Sequence, residues 1–273
     1  EGIKQFIELI ELNIKNSKLY YDEKNDKNLF YRKLLLEDDV KWDITIRAKE
    51  LDINYKSDRI VFVINTKDQK EYNIRNVLKE IFPEADDSIV SIDDENIVLI
   101  KVIENNFNYE DIDLLSANII DTLNAELLMN ARIGISSLES NLENLHKSYV
   151  EAKTALLVGT IFEQNKMIYK YSNLGIGRLI YNLPKELCEI FLNEIFKPEV
   201  FKNFDSETSQ TINKFFENNL NVSETSRKLY VHRNTLVYRL DKIQKLTGYD
   251  IRKFDDAIIF KFALLVKRYL DKN

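Results

Sequence analysis

Between Asn221 and Gly248 the chain reads NVSETSRKLYVHRNTLVYRLDKIQKLTG, and this stretch limits the fold more tightly than any other. Two short helical patterns meet there at a tight turn. Ser223 is placed to cap the first, because a Ser oxygen accepts bonds from the free backbone N–H groups of an opening turn. That helix is expected to run to about Leu229, with Thr225, Leu229 and Val231 facing inward. In the second, Leu236, Leu240 and Ile243 recur at three- and four-residue spacing. Such spacing buries one stripe of a helix and leaves the rest in solvent. The exposed remainder holds Arg233, Asn234, Tyr238, Arg239, Lys242 and Lys245. Arg and Asn in a first turn suit base edges in a major groove, and Lys or Arg further along suits phosphates. The candidate DNA-binding set is therefore Ser223, His232, Arg233, Asn234, Thr235, Tyr238, Arg239 and Lys242. Helical hairpins with basic faces are common, and most are only solvated surface, so the pattern needs support from elsewhere in the chain.

Charge supplies some. The chain carries a net −6, which is the wrong sign for a DNA binder until it is divided. Residues 206–273 hold 13 Lys and Arg against 8 Asp and Glu, a net +5, and the preceding residues carry −11. An acidic body joined to a basic tail is the distribution expected of a regulatory domain attached to a nucleic-acid-binding module. At 273 residues with 44% hydrophobic composition there is room for two domains, each with a core. No segment approaches the run of about twenty apolar residues that a membrane span needs, so a soluble protein without membrane contact is expected. The single cysteine, Cys188, has no intramolecular partner and fits a reducing cytoplasm. The two histidines, His146 and His232, do not make a zinc site with it, and no metal or other cofactor is expected. His146 is expected on a helix surface.

The wording of the tail carries more. VHRNTLVYRLDKIQKLTGYDIRKFDDAIIFKFALLV resembles the C-terminal helix-turn-helix of the PucR/CdaR family, regulators of purine or sugar-diacid use. That family has a similar His-Arg-Asn-Thr-Leu-x-Tyr-Arg segment, a Leu-Thr-Gly end and a closing apolar helix. The resemblance implies a transcriptional regulator whose partner is double-stranded DNA. It covers about the last quarter of the chain.

Upstream, Ile3, Phe6, Ile7, Ile10 and Ile14 give a helix with one apolar face, suited to a neighbouring chain, a preceding domain or its own domain. The chain opens Glu1-Gly2-Ile3 without an initiating Met, and further sequence is expected before it. Leu29–Leu36 and Asp43–Leu51 read as helices, with Trp42 as a packing anchor. Arg59-Ile60-Val61-Phe62-Val63-Ile64 reads as a buried central strand. A helix over Ile74–Phe82 stops at Pro83. Ser88–Ile92 and Asn96–Ile103 pair as a hairpin, then come a helix from Asp111 to Met129, a strand over Arg132–Ser136 and a helix over Leu142–Val158. This order is that of an α/β domain built on split βαβ units. It resembles the degenerate GGDEF-like domain of the CdaR branch, with Ser148-Tyr149-Val150-Glu151-Ala152 similar to that domain's Ser-Tyr-x-Glu-Ala helix.

Active GGDEF domains make cyclic dinucleotides with a glycine-bearing hairpin and metal-binding carboxylates. Here Asp94-Glu95 aligns with the Asp-Glu of that motif, yet Ile92 and Asp93 stand at the glycine positions. The first strand ends in Asn65-Thr66-Lys67 where the resemblance places a metal-binding Asp. No catalytic residue is assigned, and the domain is expected to be noncatalytic, with a nucleotide- or small-molecule-binding sensor and, more remotely, a diguanylate cyclase as the other readings. Gly175-Ile176-Gly177 is a bend near a helix start, and Lys185–Phe196 is a helix bridging domains or joining a dimer. The fold expected is mixed α+β: an N-terminal helix over 1–28, a GGDEF-like α/β sandwich over 29–165, a helical linker over 166–205 and an all-α helix-turn-helix domain over 206–273. One such module reads few base pairs, so a homodimer or higher oligomer is expected on half-sites roughly 34 Å apart.

Overall fold

The computed structural model describes residues 26–37, 43–66, 71–83, 86–103, 109–196, 200 and 204–272. The helix expected over Ile3–Ile14 and the anchor Trp42 lie outside them. The chain divides into two compact units, residues 1–175 and 176–273.

The first unit runs α1 (Lys27–Leu36), α2 (Ile44–Glu50), β1 (Asp58–Asn65), α3 (Glu71–Ile81), β2 (Ser88–Ser91), β3 (Asn96–Ile103), α4 (Tyr109–Leu127), β4 (Arg132–Ile135), α5 (Leu145–Phe162) and β5 (Ile168–Lys170). The strands form one sheet in the order β2-β3-β1-β4-β5. β1 is central, antiparallel to β3 and β4, and β5 lies parallel to β4. Successive strand residues point to opposite faces. Val61 and Val63 accordingly join Leu34, Leu35, Leu145 and Ala152 of α1 and α5, while Ile60, Phe62 and Ile64 join Ile74 and Leu78 of α3 and Ile119 and Leu123 of α4. All five strand residues are at most 2% exposed. An unbroken apolar run is what a strand covered on both faces requires, and each such side chain stabilises the fold by about 1.5–3 kcal/mol.

On β4, α5 comes so close that a Cβ added to Gly134 would lie 2.1 Å from the Ala152 carbonyl oxygen. Ser148, Tyr149 and Ala152 of the Ser-Tyr-x-Glu-Ala segment are buried on this side, and the outward Glu151 accepts a bond from the Ser137 N–H at 2.9 Å. The structure extends the sequence reading in two places. α5 continues to Phe162, and β5, three residues long, is too short to show a period of its own. His146, expected on a helix surface, is half-buried with Nδ1 2.8 Å from the Leu35 carbonyl oxygen, because Leu145 and Tyr149 beside it pack towards α1.

The second unit runs α6 (Ile176–Tyr181), α7 (Lys185–Ile195), α8 (Ser206–Glu217), α9 (Val222–Lys228), α10 (Arg233–Thr247) and α11 (Phe254–Lys272). Its core gathers Phe196, Ile212, Phe215, Leu236, Leu240, Ile243 and Phe260. The Phe196 ring stands edge-on to Phe260 at 5.2 Å and to Tyr249 at 5.6 Å. α7, which the sequence assigns to a segment between domains, packs here on α11, with Phe191 edge-on to Phe262 at 5.1 Å. Cys188 is buried on the same helix.

Candidate nucleic-acid interface

Three short helices, each stopped and started by local chemistry, build the interface. α8 begins at Asp205, whose carboxylate accepts from the Thr208 N–H at 2.7 Å. α9 begins at Asn221, not at Ser223 as the sequence suggests: Asn221 Oδ1 accepts from the Glu224 N–H at 2.9 Å. Asn caps as well as Ser, and the residue that takes the extended backbone outside the first turn is Asn221, at φ −89° and ψ 109°. Ser223 is thereby left inside the first turn with an exposed side chain. After Leu229 the chain reverses through Tyr230, which holds a left-handed φ of +56° and is 96% exposed. The Val231 N–H closes the turn on the Ser226 carbonyl at 3.0 Å.

α10 starts at His232, whose Nδ1 accepts from the Asn234 N–H at 3.2 Å. It ends at Gly248, where φ is +84° and the N–H bonds to the Gln244 carbonyl at 2.7 Å, a left-handed cap that favours glycine. Leu236, Leu240 and Ile243 are at most 1% exposed, as their spacing predicts. Arg233, Asn234 and Thr235 are exposed at the amino end, and Tyr238 is 71% exposed. Arg233 and Lys245 have no ion-pair partner among the described residues.

The flank of α10 differs from its tip. Arg239, expected on the free face, has a side chain only 17% exposed, and its Nη2 lies 2.7 Å from Glu207 Oε1 of α8. A rotation of about 100° per residue swings position 239 towards α8 and away from the line through Asn234 and Tyr238. Lys242 reaches Asp205 Oδ2 at 3.0 Å. Hydrogen bonds from Thr208 and then from Lys242 hold the Asp205 carboxyl far below the usual carboxylate range, and Asp205 in turn raises the Lys242 ammonium. The sequence reading missed these two carboxylates. Their signal is an acid-rich start to α8, Asp205-Ser206-Glu207, whose partners stand more than thirty residues away. On α11, the Lys261 Nζ sits 5.0 Å above the Phe216 ring, and burial lowers its pKa.

The hairpin of the first unit uses its polar groups on itself. Asp93 Oδ1 accepts from the Glu95 N–H at 3.0 Å, the Asn96 N–H at 2.8 Å and the Asn96 side chain at 2.8 Å. At the end of β1 the Thr66 N–H and hydroxyl both bond to the Glu95 carbonyl, at 2.8 and 3.2 Å, and Asn65 reaches Asn96 at 3.1 Å.

A sheet domain covered by helices, followed by a helical unit that presents α10 by its amino end, defines a helix-turn-helix protein with an appended α/β domain. Residues 37–158 match the GGDEF-like domain and residues 209–266 the PucR C-terminal helix-turn-helix domain, so the chain joins a GGDEF-like domain to a PucR-type helix-turn-helix. It is similar to the carbohydrate diacid regulator of Escherichia coli, at 24% identity over 97% of this chain and 73% of that protein. It is also similar to the purine catabolism regulatory protein of Bacillus subtilis, at 27% identity over 54% of this chain. The proline-responsive transcriptional activator PutR of the same organism is 30% identical over 45% of this chain. The chain spans only 28% of the length of the purine regulator and 31% of that of PutR. Among the described residues no helix is long and apolar enough to cross a membrane.

Proposed function

We propose that the chain is a cytoplasmic, sequence-specific DNA-binding regulator of transcription of a metabolic operon, one for a carbohydrate diacid or a related compound. The observation that carries this reading is the amino end of α10, where Arg233, Asn234 and Thr235 stand exposed on a helix locked from below by Leu236, Leu240 and Ile243. An α-helix fits the major groove of double-stranded DNA. Arg233 takes guanine bidentately and Asn234 takes adenine, whereas Ser223, His232, Thr235 and Tyr238 position the helix on the backbone. Arg239 and Lys242 are further phosphate ligands in competition with Glu207 and Asp205, which hold them in the free chain. The names of the relatives support the metabolic operon, since they are a purine catabolism regulator, a carbohydrate diacid regulator and a proline-responsive activator.

The GGDEF-like domain acts in this reading as a noncatalytic relay. Asp93 is engaged with its own turn, and Ile92 and Asp93 put side chains where an active domain has glycines. Incubation with GTP and Mg²⁺ or Mn²⁺ is expected to give no cyclic dinucleotide; product formation would refute the relay. The regulator works as a homodimer or higher oligomer on paired half-sites. Leu187 and Ile190 of α7, 49% and 56% exposed, are the apolar surface offered for it. The supporting body of the DNA module, on this view, begins at α6 and includes α7, which packs on α11.

In vitro selection from a random duplex library tests the proposal. A preferred sequence of two related half-sites is expected, with Arg233→Ala losing about 1–3 kcal/mol at one base position and Lys242→Ala weakening all sequences alike. Equal loss by both variants on every sequence would reverse the assignment of roles, and selection of no sequence would reject the function.

A further inference from the structure

The turn of the helix-turn-helix holds a residue that the interface described above does not use. Tyr230 is 96% exposed, the most exposed large hydrophobic residue of the second unit among the described residues, and its backbone sits at φ +56°. Left-handed backbone costs a residue with a Cβ roughly 1–2 kcal/mol, and an aromatic residue has none of the local hydrogen bonding that lets Asn or Asp tolerate it. Glycine would occupy this turn without strain. Nor does burial offset the cost, because the ring is in solvent and its hydroxyl has no hydrogen-bond partner among the described residues. The Tyr230 and Val231 N–H groups close an ordinary left-handed helix cap on the Arg227 and Ser226 carbonyls, at 3.1 and 3.0 Å, and this accounts for the backbone but not for an aromatic residue where glycine is favoured; an exposed ring with no hydrogen bond among the described residues points to a contact made outside the free protein.

Position names the contact. Tyr230 lies three residues before Arg233 and two after Lys228, between the end of α9 and the exposed amino end of α10. A helix that enters a groove by its amino end carries the residues just before that end to the groove's edge, where the sugar–phosphate backbone runs. Tyr is an uncharged donor that fits there.

We propose that the Tyr230 hydroxyl donates a hydrogen bond to a DNA phosphate oxygen and so fixes how far α10 enters the groove. This rests on the DNA reading above. The left-handed turn is what aims the side chain outward, away from the hydrophobic seam of Leu229 and Val231, so strain in the free module serves a contact in the complex.

The test compares Tyr230→Phe and Tyr230→Gly with the unaltered chain on the selected duplex and on a scrambled one, across a range of NaCl. Both variants are expected to bind each duplex roughly 3- to 10-fold more weakly, as loss of one hydrogen bond implies. The slope of log affinity against log salt should stay unchanged, because an uncharged donor releases no counterion. Tyr230→Gly is expected to melt at the same temperature as the unaltered chain or a few degrees above it, which separates lost contact from lost fold. Phe binding as tightly as Tyr, or Gly binding as tightly as either, overturns the inference while leaving the DNA reading intact. An unaltered chain that binds neither duplex overturns both.

Discussion

Neutralising Glu207 should strengthen DNA binding and make it more salt-sensitive. Arg239 Nη2 lies 2.7 Å from Glu207 Oε1, and with the Glu side chain 51% exposed the pair is a surface ion pair. Such pairs contribute about 0–1 kcal/mol, so Glu207→Gln should leave the fold intact and shift its melting by no more than a few degrees. The effect on binding is larger. The substitution removes one negative charge from the flank of α10 and releases one guanidinium. If that group pairs with a phosphate, the slope of log affinity against log salt steepens by about 0.9. Over a fourfold rise in salt, that slope amounts to an additional loss of about 3.5-fold. Fluorescence anisotropy of a labelled operator duplex, titrated at about 50, 100 and 200 mM NaCl, a range over which exposed charges are progressively screened, reads both quantities. An unchanged slope with unchanged or weaker affinity, in a variant that melts normally, would refute the placement of this flank against DNA.

Other perturbations test the module itself. Leu240→Ala, at a position 1% exposed in the core with Phe215 and Phe260, should cost about 2–5 kcal/mol in urea unfolding; a loss below about 1 kcal/mol would mean that α10 is not locked from beneath. Gly248→Ala meets no atom within 4 Å, so its cost is the left-handed backbone alone, about 1–2 kcal/mol by the same measurement. A hydrogen bond from Arg252, 2.7 Å away, holds the Asp250 carboxyl below its ordinary value. Its contribution to stability is therefore complete above the unfolded value of about 3.9 and fades as pH falls through the lower folded value. Asp250→Asn should flatten the acid limb of the stability curve below about pH 4 and leave its slope near neutrality unchanged.

Much of this could be read along the chain because the responsible patterns are local. Val61, Val63 and the alternating Ile60, Phe62 and Ile64 announce a strand covered twice, and three core residues of α10 announce its buried stripe. β5 was not legible, since three residues cannot establish a period and its pairing is with β4, more than thirty residues earlier. The cap of α9 was misplaced by two residues because Asn221 and Ser223 are both good caps and only the backbone chooses between them. Of the candidate contacts, the tip residues Arg233 and Asn234 stand as their position in the helix implied, but Arg239 does not, because its direction is set by α8.

By itself the sequence determined the two kinds of domain, the strand at the centre of one and the recognition helix of the other, since apolar period and capping act between near neighbours. Tertiary structure decided which cations of α10 are free and which are held. Glu207 and Asp205 lie 32 and 37 residues from Arg239 and Lys242, and only the packing of α8 beside α10 brings them within 3.0 Å. It also decided the setting of Tyr230. Nothing in Leu-Tyr-Val marks that residue as exposed on a left-handed backbone; closing the turn between two helices whose apolar stripes must meet one core is what forces it outward.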